Sequence, residues 1–140
     1  MTRSAVETNR WTALRAPAAV AAVAVVSVSY LAAVNPHEGG NYPTCPSLLL
    51  TGFYCPGCGS LRAIHDLAHG DVVGALDMNI LAVIAIPWLV WRWYAWTAAA
   101  AGRTITRKPA PAWAIYALAG AIVVYWIARN LPPLAPYLAP

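Results

Sequence analysis

Three long apolar runs, each free of charge over most of its length, constrain this chain more than any other feature. Ala16 to Val34 is nineteen residues without a charge. At a helical rise of ~1.5 Å per residue, such a run crosses a hydrocarbon core of ~30 Å. Asn79 to Ala101 reads NILAVIAIPWLVWRWYAWTAAAA and is long enough to span, with Pro87 near its middle and a single charge at Arg92. Ala112 to Ala128 adds seventeen uncharged residues. A 140-residue chain that is 60% hydrophobic and 10% charged, with a mean hydropathy of +0.56, has too little interior to hide such runs from water. The expected fold is therefore an all-α integral membrane protein with about three transmembrane helices, its principal partner the lipid bilayer.

The charges mark the ends of the runs. Arg3, Arg10 and Arg15 precede the first, and Arg103, Arg107 and Lys108 fall in the connection between the second and third. Short connections rich in Lys and Arg stay cytoplasmic, which predicts a cytoplasmic N-terminus (1–15), a cytoplasmic basic loop (102–111) and an outer segment at 35–78. The spans are then 16–34, 79–101 and 112–128, with a Pro-rich outer tail at 129–140. The second span has an alternative start near Val72. The first run exceeds a usual signal-peptide core of roughly 7 to 15 residues, so an uncleaved helix is expected. Trp88, Trp91, Trp93, Tyr94 and Trp96 read as an interfacial belt near which Arg92 snorkels. The formal charge of +4 forms no dense patch, and no nucleic-acid partner is expected.

Everything capable of chemistry sits in the outer segment. All three cysteines (Cys45, Cys55, Cys58) and all three histidines (His37, His65, His69) lie there. Pro43, Pro46, Pro56, Gly57 and Gly59 place the cysteines in turns, and Gly and Pro between Cys55 and Cys58 let both sulfurs face one point. From Gly59 a helical period begins, with Leu61, Ile64 and Ala68 on one face and Arg62, Asp66 and His69 on the other. Gly70 is expected to end that short amphipathic helix and Asp71 to cap the next. Such helices lie in the interface plane or re-enter the bilayer partway. Asn79 reads as a helix cap, or as an intramembrane amide pairing with a neighbouring helix.

Cys45-Pro46, Cys55-Pro56-Gly57-Cys58-Gly59, Arg62, Gly70-Asp71, Ala75 and Asn79 together resemble the bacterial membrane proteins catalogued as domain-of-unknown-function family 2752. The resemblance covers roughly residues 45 to 90. Ser60-Leu61 stands where Leu-Thr is more usual, and Ile80 where a Pro commonly follows the Asn. It implies a multi-pass protein of a bacterial plasma membrane carrying this cysteine motif, and no activity comes with it.

Three readings of the cysteines stand side by side. A structural disulfide suits an outward-facing loop in an oxidising compartment, with Cys45 closing the longer loop onto Cys55 or Cys58. A metal site, zinc first, would draw on Cys55-x-x-Cys58 and Cys45, completed by His37, His65 or His69, the last two sharing one helix face. Thiol redox chemistry would use Cys55 and Cys58, acidified by the following helix N-terminus and Arg62. No acid–base or nucleophile constellation accompanies them, and three short helices enclose little of a substrate. The function expected is therefore an accessory or assembly partner of other membrane proteins or of itself rather than a free-standing enzyme. Its cysteine motif is read as structural first, with a thiol oxidoreductase and a zinc-binding module as alternatives.

Overall fold

A computed structural model describes residues 3–104 and 111–140, with side chains from Trp11 onward. Its elements are α1 (Arg3–Ala33), α2 (Pro46–Thr51), α3 (Ser60–Ala68), α4 (Val72–Ala100), α5 (Ala112–Arg129) and α6 (Ala135–Leu138). The described residues contain no strand. Three stretches are long and apolar enough to cross a membrane: Trp11–Ala33, Val72–Ala100 and Ala112–Arg129. The cysteines lie between the first and second of these, in the segment that carries α2 and α3. Arg107 and Lys108 of the expected basic loop fall outside the described residues.

The second long helix is two helices end to end. Asn79 has φ −162° and ψ 97°, which breaks the helical ladder between Val72–Met78 and the run that follows. The break is satisfied locally, because Asn79 Oδ1 accepts the backbone N–H of Ala82 at 3.1 Å and so caps the second half at its N3 position. Asp71 does the same one helix earlier, accepting Gly74 N–H at 2.8 Å. Gly70, at φ +81°, turns the chain out of α3 ahead of that cap. Pro87, in contrast, leaves the helix continuous.

α3 packs on both α4 and α1, and α1 on α4. Small residues make this close approach possible: Ala63 and Ala75 are fully buried, with Ala95 and Ala98 buried further along α4. At the far end, Trp93 Nε1 donates to Pro17 O at 3.0 Å, tying the first two spans together. This indole is engaged inside the protein, whereas Trp88, Trp91, Tyr94 and Trp96 of the expected aromatic belt are exposed. Arg92 is exposed as well.

The third span is held differently. Only 6% of its apolar window is buried, and of the other helices only α6 approaches it closely. Its attachment to the remainder is polar and lies at one end. Asn130 accepts Tyr54 N–H at 2.8 Å and donates to Tyr54 O at 2.9 Å, while Arg129 reaches the cysteine turn. α2 exposes Leu49 and Leu50 (84% accessible), and Phe53, just after it, is exposed beside this end and shares a shallow apolar cleft with Trp126, Ile127 and Leu131. The cysteine segment thus sits across the ends of all three spans.

The expected amphipathic helix at α3 differs in one respect from its periodicity. Asp66, on the face read as polar, is buried, and Leu61 on the apolar face is exposed. The cause is tertiary: the chain leaving α1 folds back so that His37 Nε2 meets Asp66 Oδ1 at 2.7 Å and covers the carboxylate.

Because Asn79 both caps a helix and donates three hydrogen bonds while 1% exposed, Asn79→Ala is expected to lower stability by about 2–4 kcal/mol. Thermal unfolding in detergent, followed by circular dichroism, measures this; a loss below ~0.5 kcal/mol would show the break to be held by other contacts.

Candidate metal-thiolate site

The site is built by two turns that return the chain to one place. Cys45 precedes α2, with Pro46 at the first helical position, and Leu49 N–H bonds Cys45 O at 3.0 Å. The helix stops after six residues, and Ser47 Oγ donates to Phe53 O at 3.1 Å, directing the strand of chain back toward its start. Cys55 then enters a turn closed by Cys58 N–H to Cys55 O at 3.1 Å. Gly59, at φ +82°, leads from this turn into α3, and a Cβ there would strike the Met78 carbonyl and Pro140. No other residue type fits that position without displacing α4.

The result is a convergence of all three sulfurs. Cys55 Sγ lies 3.2 Å from Cys58 Sγ and 3.5 Å from Cys45 Sγ, and the three atoms all fall within 4.8 Å of one another. No disulfide links them among the described residues. Three thiolates on one tetrahedral zinc, at ~2.3 Å each, would be about 3.8 Å apart, so the observed triangle needs only small side-chain adjustments. Cys58 is buried, and Cys45 and Cys55 are partly exposed. All three line one cavity of about 430 Å³ whose wall also includes Glu38, Tyr54 and Arg62.

Two side chains from different spans hold the backbone beneath the sulfurs. Asn79 Nδ2 donates to Pro56 O and Cys58 O, each at 2.9 Å, and to Ser60 Oγ at 3.2 Å. Arg129 Nη1 donates to Cys55 O at 3.0 Å, Cys58 O at 3.1 Å and Pro56 O at 3.4 Å. Arg129 is fully buried, and among the described residues its Nε and Nη2 have no hydrogen-bond partner. Tyrosine rings take up part of its charge, with its guanidinium carbon 5.1 Å from the Tyr125 centroid and 5.9 Å from that of Tyr54. Among the described residues no carboxylate pairs with it, since the one ion pair found is His37–Asp66. A buried cation thus lies under the turn that carries two of the three thiols, in contact with its carbonyl groups.

The thiols differ in acidity. Hydrogen bonding from the Leu48 backbone, with help from the Cys58 side chain, lowers Cys45 to about 7. Burial, reinforced by its sulfur neighbours, pushes Cys58 up to about 12. The metal-free cluster therefore presents one thiol ready to ionise near neutrality and one that yields its proton only to a strong competitor such as a metal ion.

The histidines form a separate group. His65 Nδ1 donates to Leu31 O at 2.7 Å, and His69 Nδ1 donates to His65 O at 2.8 Å. Their rings are 4.3 Å apart, and His37 lies 5.8 Å from His65. The described residues offer no histidine nitrogen within the sulfur triangle, so the three cysteines come together and His37, His65 and His69 gather instead around the end of α1. Arg62 also faces this junction, donating from Nε to Pro36 O at 3.3 Å while lining the sulfur cavity. Arg129, Asn130 and Tyr54 were not singled out by sequence reasoning. The available signal was a charged and an amide residue placed directly at the end of an apolar run.

In the reduced, metal-free protein, alkylation of Cys45 by iodoacetamide is expected to be half-maximal near pH 7 and about fivefold slower one unit below, as the thiolate fraction falls. Cys58 should remain unmodified across the neutral range. Mass spectrometry of peptides after timed quenching reports both, and equal rates at Cys45 and Cys58 would contradict the ordering.

Comparison with known proteins adds one relation. The model of a family described as Protein of unknown function (DUF2752) matches residues 45–93, from the first cysteine to Trp93. No curated protein and no solved structure matches the chain. The match spans the sulfur cluster, α3 and Asn79, while Arg129 and Asn130 lie beyond it.

Proposed function

We propose that this chain is a small membrane-embedded metal-thiolate protein, in which Cys45, Cys55 and Cys58 hold one soft divalent ion, zinc first, across the ends of three membrane spans. The observation that carries this reading is the convergence of three sulfurs within 4.8 Å of one another beside a buried guanidinium. A disulfide engages two sulfurs and gives the third no reason to join them. A metal engages all three, and a divalent ion with three thiolates has a net charge of −1, which Arg129 neutralises. The protein then serves as an accessory or assembly partner of other membrane proteins, the ion fastening the turn onto which α4 and α5 are anchored. The distribution of basic residues supports placing this site on the outer face of a bacterial plasma membrane, with the N-terminus in the cytoplasm.

Thiol–disulfide exchange is a second reading, favoured by the central position of Cys55 and the acidity of Cys45. A Cys45 thiolate attacking Cys55 of a Cys55–Cys58 disulfide would form Cys45–Cys55 and release Cys58 as a thiolate, which takes up a proton.

One purification separates the two. Protein extracted in detergent under reducing conditions is expected to carry about one zinc per chain by elemental analysis, with each Cys→Ser variant losing it. Metal-free protein whose disulfide moves between cysteine pairs would establish exchange instead. Arg129→Met should weaken zinc affinity by roughly tenfold or more, ~1.4 kcal/mol, whereas Arg129→Lys should retain most of it. A membrane-impermeant maleimide applied to intact cells after metal removal is expected to label Cys45; labelling only after lysis would reverse the orientation.

A further inference from the structure

The sulfur triangle supplies three donors, and a tetrahedral ion takes four. Among the described residues no histidine, aspartate or glutamate joins the cluster. Three backbone oxygens of the cysteine turn are engaged as well, since Cys55 O, Pro56 O and Cys58 O already accept from Arg129 and Asn79. The cluster is open to one cavity, since all three cysteines line the space of about 430 Å³. That volume holds a small molecule or the tip of a polypeptide.

Charge and softness decide what enters. Three sulfur donors favour a fourth soft donor over an oxygen. Zinc with four thiolates has a net charge of −2, and two guanidiniums serve the site: Arg129 beneath the turn and Arg62 on the cavity wall. The N-terminus of α3 also faces this region, with Gly59 as a cap that lacks a side-chain acceptor. Glu38 lines the cavity too, but it is exposed, where solvent and salt screen it.

We propose that an exogenous thiolate, entering through this cavity past Arg62, binds the metal at its fourth position. The inference rests on the metal reading above. It makes the centre an exchangeable one, able to receive a thiol-bearing ligand or to pass its ion to one, in contrast to a closed four-cysteine staple. The thiol belongs either to a free small molecule or to a cysteine of a polypeptide, and the chemistry at the ion is the same.

The test uses the full chain in detergent, loaded with cobalt(II) as a spectroscopic stand-in for zinc. Cobalt binding is read first, through its sulfur-to-metal charge-transfer band; its absence would overturn the metal reading and this inference with it. β-Mercaptoethanol and a short cysteine-containing peptide are then titrated separately. The band is expected to grow saturably by about a third, with one equivalent bound, as three sulfur donors become four. A tighter titration with the peptide assigns a polypeptide thiol, and equal or weaker binding assigns a free one. Arg62→Gln should weaken the thiol titration by about tenfold, and Arg62→Lys should restore most of it. A cobalt-loaded protein whose spectrum is unmoved by either thiol, or is moved as much by acetate, would overturn the proposal while leaving the metal site standing.

Discussion

The turn at Cys55–Cys58 is clasped by one amide and one guanidinium that arrive from two different membrane spans, and the rest of the architecture hangs on that clasp. The buried interior of the protein is small and made largely of alanine, so apolar packing fixes only the approach of α3, α1 and α4. α5 has almost no such packing. Its position is set by Arg129 and Asn130, whose bonds to Cys55, Cys58 and Tyr54 bridge more than seventy positions of sequence. In a bilayer apolar side chains gain little by leaving lipid for one another, which leaves directional polar contacts at the membrane boundary to define how a loosely packed span is placed.

A guanidinium with no accessible surface and no carboxylate is a costly element unless its surroundings supply negative potential. Carbonyl dipoles and two tyrosine faces supply part of it. The remaining source at hand is the sulfur cluster, whose carbonyl groups Arg129 already touches. Deprotonating Cys58 is disfavoured by burial, but binding of a divalent ion, as proposed above, would remove the protons and leave an anion of the right magnitude for the arginine. In such a loaded site the guanidinium and the thiolates would each remove the objection to burying the other.

The spans could be read from the chain because lipid demands uninterrupted apolar length, and composition alone satisfies or fails that demand. Local punctuation was equally legible. Asp71 and Asn79 carry short acceptors at helix starts, and Gly59 and Gly70 take backbone angles that other residues avoid. Arg129 was not legible. A basic residue at the end of an apolar run is ordinarily a marker of topology, and nothing in its neighbourhood in sequence announces a turn seventy residues away. Asp66 escaped for a similar reason, since helical periodicity assigns faces without knowing that the loop carrying His37 folds back over one of them. The cysteines stood between these cases: the spacing of Cys55 and Cys58 pointed to one locus, but whether Cys45 joined them depended on the return path of α2.

That return path also sets the depth of the site. Leu49, Leu50 and Phe53 are exposed in the short loop between Cys45 and Cys55, Phe53 alongside the apolar end of α5, so the loop that brings two sulfurs together also carries an apolar edge outward. On the opposite side, Glu38, Arg62 and the histidines face the polar junction with α1. The cluster therefore has apolar surface on one flank and a cavity with charged walls on the other. On the metal reading proposed above, lipid against the first flank would strengthen the attraction between Arg129 and the thiolates through its low dielectric, while the cavity would admit ions and ligands from water. A centre further out would lose the first effect to solvent, and one further in would lose access.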